Sequence, residues 1–332
     1  MIAFGPVPSR RLGRSLGINN ILSDKKDKQS DIPPKICTYS CVYCQLGRTG
    51  KMQVERRAFY EPEQILQDVR DKVEKAEEVG ESIDYLTFVP DGEPTLDVNL
   101  GREIELLRPL GIKIAVITNS SLIWREDVRE VLMKVDWVSL KVDSTREEVW
   151  RRIDRPHGTL RLDSILDGAL EFAAEFEGEL ATETMLVQGI NDSEEHLGEV
   201  ADFLARLQLD AAATATYLSI PIRPPAEEWV RSPDEGAINR AYQILSGRLD
   251  RVEYLIGYEG NAFAFTGNVE EDLLSITSVH PMREDAVSEF LTRARAKREA
   301  GADWTVIRKL IEQGRLVETE YEGRKFYVRK IQ

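Results

Sequence analysis

Residues 33–50 read PPKICTYSCVYCQLGRTG, and they hold all three cysteines of this 332-residue chain. Cys37, Cys41 and Cys44 stand in a C-x3-C-x2-C spacing, which leaves three thiolates near enough to bind one inorganic centre. An odd number of cysteines in one loop makes a poor disulfide framework and suits a reducing compartment. A structural zinc site asks for a fourth ligand, and His157, His196 and His280 all lie far along the chain. A fully protein-bound iron-sulfur cube takes four thiolates, so three leave one iron open to a ligand that is not protein.

Outward from this loop, short apolar runs alternate with longer amphipathic ones. The runs at 15–22, 83–89, 112–117, 137–142, 180–187 and 212–218 read as strands. Helical patterns at 62–80, 97–108, 124–134, 162–176 and 193–207 separate them; the first has Pro62 in its opening turn and ends on Gly80. Such alternation predicts an α/β fold with a parallel sheet and right-handed crossovers, and six units are too few to close an eight-fold barrel. Ligands belong at the carboxyl ends of strands in this kind of sheet. The segments there are 23–57, PDGEPT (90–95), TNSS (118–121), DSTRE (143–147), QGIND (188–192) and SIPIRPP (219–225), where nearly all the unusual chemistry of the chain is found. After residue 280 the pattern changes to helix, helix and a hairpin around Glu322-Gly323. The expected division is a 1–280 barrel domain and a 281–332 winged-helix-like module.

The composition, 42% hydrophobic and 31% charged, is that of a soluble globular protein. No apolar run is long enough to cross a bilayer, and MIAFGPVPSRRLGRSLG has prolines and arginines where a signal peptide needs an apolar stretch. Both features point to the cytoplasm. The net charge is −14, but residues 1–57 carry eleven Lys/Arg against four Asp/Glu. The acidic bulk makes non-specific nucleic-acid binding unfavourable, because phosphate neutralisation dominates that affinity.

The segment CTYSCVYC, with Tyr43 before the third cysteine, resembles the signature of the radical S-adenosylmethionine (SAM) superfamily. PDGEPT is similar to the Gly-Gly-Glu element of that family, with Asp91 in place of the first glycine, and TNSS follows the third strand where the family often has Thr-Asn-Gly. Together with FGPVPSRRLGRSLGIN and IPIRPP, these segments resemble stand-alone iron-sulfur oxidoreductases related to the tRNA wyosine-base synthases, over about residues 4–260. The resemblance implies a partial (β/α)6 barrel. It implies one 4Fe-4S cluster on Cys37, Cys41 and Cys44, with SAM chelating the fourth iron. Reductive cleavage of SAM would give a 5′-deoxyadenosyl radical that abstracts a substrate hydrogen, with an external electron donor of the ferredoxin or flavodoxin kind. SAM-binding candidates under the resemblance are Tyr43, Gly92, Glu93, Thr118, Asn119, Asp143 and Gln188. All but Asp143 and Gln188 have a plainer reading: DGEPT as a capped turn, Thr118 and Asn119 as a helix cap, and Tyr43 as loop packing.

Arg10, Arg11, Arg14, Arg152, Arg155 and Arg223 fall before the first strand or after later ones. Lys141, flanked by Leu140 and Val142 on a strand, is placed to point into the barrel. Convergence of these cations would mean an anionic substrate, a small molecule or a nucleotide, since guanidinium binds phosphate and carboxylate in a fork. The wyosine synthases use a second cluster on further cysteines, and this chain has none. Wyosine-like modification of tRNA is therefore the second reading, beside a glycyl-radical activase acting on a protein. A DNA-binding iron-sulfur regulator reading through 281–332 is more distant.

Overall fold

The computed structural model describes residues 2–22, 35–210, 214–256, 261, 263–297 and 302–329. Residues 23–34 of the long loop after the first expected strand, residues 212–213 and Lys330 lie outside that set.

The chain opens with a hairpin of β1 (Ala3–Ser9) and β2 (Gly13–Ile18). Two short strands, β3 (Ile36–Cys37) and β4 (Lys51–Met52), bracket the cysteine loop. There follow α1 (Pro62–Glu78), β5 (Tyr85–Phe88), α2 (Leu100–Leu107), β6 (Lys113–Thr118), α3 (Glu126–Leu132) and β7 (Trp137–Lys141). Helices α4 (Glu147–Ile153) and α5 (Leu162–Glu175) lead to β8 (Glu179–Met185). Then come α6 (Glu194–Asp210), β9 (Thr214–Ser219), α7 (Glu235–Ser246) and β10 (Val252–Leu255).

The six expected strands are β2, β5, β6, β7, β8 and β9, and they lie side by side in that order, all parallel. The sheet has eight strands rather than six, because β1 adds antiparallel at one edge and β10 parallel at the other. It curls into an open half-barrel. Gly5, Pro6 and Pro8 hide β1 in the sequence; an edge strand tolerates proline because one row of its N–H groups has no partner to lose.

Side chains alternate along these strands. Ile114, Val116, Val138, Leu140 and Leu180 face the helices and join the main core. Ala115, Trp137, Ala181, Ala215 and Tyr217 face the lumen and close around Leu12 from the β1–β2 turn. The hairpin turn thus stops the lower end of the half-barrel, and the parallel strands point their carboxyl ends at the cysteine loop.

Beyond the sheet lie α8 (Val269–Val279), β11 (Met282–Arg283), α9 (Glu284–Ala296), α10 (Trp304–Glu312), β12 (Leu316–Tyr321) and β13 (Arg324–Arg329). The last three strands form a small sheet in the order β11-β13-β12. Glu322 and Gly323 turn the hairpin with φ of 48° and 69°. A second hydrophobic cluster unites Phe263, Leu273, Met282, Phe290, Leu310 and Tyr327. Packing therefore joins α8 to the C-terminal elements, upstream of the expected 281. The buried Lys72–Asp272 pair (3.1 Å) ties α1 to α8. No helix among the described residues is long and apolar enough to cross a membrane.

Candidate active site

The cysteine loop is held by the loops that follow β5 and β6. Gly92 lies so close to β3 that a Cβ there would collide with the Ile36 carbonyl oxygen, and Gly92 and Ile36 form a parallel bridge. The sequence pattern assigns that glycine to a ligand; the backbone it admits is that of the cysteine loop. Glu93 is buried, and its Oε1 accepts hydrogen bonds from the hydroxyls of Thr95 (2.6 Å) and Thr118 (2.6 Å). Its Oε2 accepts from the Asn119 amide (2.8 Å), so this carboxylate clasps two loops together. Asn119 Nδ2 donates to Thr38 Oγ1 (2.8 Å) and lies 3.5 Å from Cys37 Sγ. Ser121 Oγ donates to the same Thr38 oxygen (2.7 Å). Thr38, a plain polar residue inside the motif, is the hinge-pin that sequence inspection passed over.

Cys37 is buried; Cys41 and Cys44 are half-buried. Burial pushes the Cys37 thiol up, and burial followed by the charge of Asp154 pushes Cys41 well up. Lys35 Nζ stands 3.0 Å from Cys44 Sγ; burial opposes its charge, but Cys44 and Cys37 outweigh burial and raise it. Burial disfavours the charged form of Cys37 and Cys41, so these two thiols need a cation to be drawn off as thiolates. Among the described residues no three His, Cys, Asp or Glu side chains gather tightly enough around one point to hold a single ion. A four-iron cluster takes its thiolates one to an iron, further apart. The donor set fits such a cluster.

Below the loop lies a cavity of about 260 Å³ lined by Tyr43, Cys44 and Gln45 above and by Arg11, Lys141, Glu183 and Ser219 beneath. Lys141 on β7 and Glu183 on β8 are register partners at lumen positions, and their side chains pair at 2.9 Å. Arg11 reaches the same carboxylate from the hairpin turn at 2.5 Å, and Ser219 Oγ donates to it at 2.9 Å. Burial alone would raise Glu183, but Lys141 and Arg11 hold it well below the ordinary carboxylate range. Lys141 also stands 5.0 Å from the centre of the Tyr43 ring and 3.6 Å from Asp143. The Tyr43 hydroxyl donates to Asp143 Oδ2 (2.5 Å) and lies 3.1 Å from Asp154 Oδ1. Burial pushes both carboxyls upward; at Asp154 the negative charge of Asp143 adds to it, whereas Lys141 and the Tyr43 hydroxyl oppose the rise at Asp143. Glu183 was missed in the sequence. A carboxylate within TET (182–184), in a strand covered on both faces, is a signal of the same kind as Lys141.

The remaining candidates lie elsewhere. Gln188 is exposed and its backbone N–H bonds to the Arg231 carbonyl, away from the cavity. Arg14 sits at the start of a parallel strand, hence at the lower end, where it pairs with Glu81. Arg10 lies on the exposed turn beside the Tyr254 carbonyl. Arg152 faces solvent because Trp150 and Ile153 take the buried face of α4. Arg155 joins Arg48 on Glu227 at the rim. Of the six arginines, Arg11 and Arg223 line the cavity. Arg223 donates to Gln45 Oε1 (2.7 Å) and stands 3.0 Å from the His280 ring. Burial, then the Arg223 charge, pushes His280 well down, so its neutral ring accepts from the guanidinium.

The family model of the radical SAM superfamily matches residues 32–204. A UPF0026 protein of Methanocaldococcus jannaschii is 47% identical over 99% of this chain and 96% of its own length. Another, from Synechocystis, is 34% identical over 67% of this chain and 76% of its own. The solved structure of a radical SAM methyltransferase from Sphaerobacter thermophilus shares the fold, with a TM-score of 0.52, 18% identity and coverage of 73% and 66% of the two chains. Radical SAM enzymes use a 4Fe-4S cluster and SAM, and Cys37, Cys41 and Cys44 are the residues here that would hold the cluster. The chain is a radical SAM enzyme of the superfamily its cysteine loop resembles, and within it belongs to the UPF0026 proteins.

Proposed function

We propose that the protein abstracts hydrogen from a small polar molecule seated on the Arg11–Glu183–Lys141 floor. The observation that carries this reading is the continuity of one cavity from Cys44 down to those three side chains. When bound, the cluster and SAM supply a reductively generated organic radical. The protein supplies position: Glu183 fixes both cations, Tyr43 and Asp143 brace Lys141, and Gln45 with Arg223 roofs the space. Apolar walls of Met185, Ile220, Ile222 and Leu255 exclude water from the reacting carbon. A volume of about 260 Å³ lies just below the range of ordinary ligand pockets, roughly 300–1,000 Å³, which suits a small metabolite. Three cations line it against one carboxylate, so we assign the substrate an anionic group. The enzyme draws its electron from an external donor.

The test is anaerobic incubation of the reduced, reconstituted enzyme with small molecules extracted from fully deuterated cells. Deuterium should appear in 5′-deoxyadenosine. Glu183→Gln, which leaves Lys141 and Arg11 without their shared carboxylate, should lower that transfer at least tenfold while SAM cleavage without substrate continues. Deuterium arriving only from the tRNA or protein fraction would sink the small-molecule reading.

A further inference from the structure

A second cavity, of about 340 Å³, lies outside the half-barrel and takes no part in the radical site. Glu55, Trp124, Arg125, Thr159, Arg161 and Ser164 line it. Trp124 is 44% exposed, an unusual state for a large aromatic side chain. Its backbone is nonetheless anchored. Gly168 of α5 passes so near that a Cβ there would stand 2.6 Å from the Trp124 Cα, and Arg129 donates to the Ile123 (3.0 Å) and Trp124 (2.9 Å) carbonyls. An indole left partly in solvent on a fixed pedestal, with the Arg125 guanidinium 5.7 Å from its ring centre, is a ready stacking face. On the same cavity, the Arg161 guanidinium has no hydrogen-bond or ion-pair partner among the described residues, in a chain whose net charge is −14. Arg125 differs, since Asp127 takes its guanidinium at 2.9 and 3.1 Å. The cavity therefore offers a flat aromatic face, an uncompensated cation and the Glu55 carboxylate to accept from an amino group.

We infer that this cavity binds a nucleotide, its base stacked on Trp124 and its phosphate on Arg161. Stacking on an aromatic side chain contributes about 1–3 kcal/mol per base, enough to make the site measurable on its own. The loops that build it also hold the cluster loop, because the His157 amide, two residues before Thr159, donates to the Thr38 carbonyl (2.9 Å). A nucleotide bound here would sit one loop away from the chemistry.

Equilibrium dialysis tests this with reconstituted, unreduced protein already saturated with SAM, so that neither turnover nor the SAM site contributes. Labelled 5′-AMP should bind, and Trp124→Leu and Arg161→Gln should each weaken it about tenfold or more. Adenosine, which lacks the phosphate, should bind more weakly than 5′-AMP and be indifferent to Arg161→Gln. A single-stranded oligoadenylate that binds more than tenfold tighter than 5′-AMP, with the same sensitivity to both variants, would identify the nucleotide as part of an RNA strand. Equal affinities would identify it as free. Absence of binding by both probes, or binding unchanged in both variants, would overturn the proposal while leaving the deuterium-transfer result untouched.

Discussion

Gly92 shows how little room a single position can leave. Its missing side chain is occupied by the Ile36 carbonyl, one residue before the first cysteine, so any larger residue must push the cysteine loop away from β5. Gly92→Ala should cost about 1–3 kcal/mol as an overpacked contact. The cost should fall on the loop: iron bound after anaerobic reconstitution should drop by half or more while far-UV circular dichroism stays native. Full iron loading would show that the close approach is dispensable. At this scale the cysteines stood out as a candidate centre, because three thiols crowded into eight residues of a loop have little use unless an inorganic centre joins them. Glu93 was legible as important but not in its role: sequence places a carboxylate near a ligand, yet only geometry shows both oxygens taken by Thr95, Thr118 and Asn119. Charged residues such as Arg14 and Arg152 were misplaced because sequence adjacency to a strand does not say which end of it, or which side of the next helix, a long side chain occupies.

The loop 219–225 forms one wall of the cavity, and elements far along the chain hold it. Tyr321 on β12 donates to the Pro221 carbonyl (3.2 Å), as does Ser232 (2.7 Å), and His280 at the end of α8 receives Arg223. The C-terminal elements thus brace a wall of the radical site. Tyr321→Phe removes one hydrogen bond, a net loss of about 0.5–1.5 kcal/mol, and His280→Phe removes an acceptor of the half-buried Arg223 guanidinium. Hydrogen exchange at Ile220, Ile222 and Arg223 should quicken several-fold in either variant, and more in the double variant, with β8 unaffected. Protection unchanged in both would mean that the wall stands without the C-terminal elements. Most of these elements could be read from periodicity, from α1 to the Glu322-Gly323 hairpin. The missed ones had physical cover: β1 carries two prolines that only an edge permits, and β10 is four residues long. Reading the C-terminal elements as a winged-helix-like module rests on element order alone, and we retain it as a proposal.

Stability of the whole molecule should carry the mark of one buried carboxyl pair. Asp97, after the DGEPT turn, and Glu103 on α2 are both fully buried, and Asp97 Oδ2 and Glu103 Oε1 have no donor among the described residues. A proton held between them satisfies both oxygens. Burial, then the negative charge of Asp97, pushes Glu103 up to about 9, and burial raises Asp97 as well. An unfolded chain releases the Glu103 proton near the ordinary value of about 4.3, so between that pH and about 9 the folded state binds more protons than the unfolded one. Stability must then fall as pH rises through this window and level off above it. Glu103→Gln supplies an amide donor that does not titrate. The melting temperature of wild type should decline relative to that variant from about pH 5 to about pH 9; parallel curves would refute the shared proton. Leu12, wedged beside Trp137 and Tyr217, stoppers the half-barrel from below. With its foot closed, the half-barrel leaves its cluster end and its open flank as the ways in. Whatever rests on Arg11 and Glu183 travels past the cysteine loop or along that flank, and steady-state kinetics tell the two apart: a compulsory order of binding marks the first route, a random order the second.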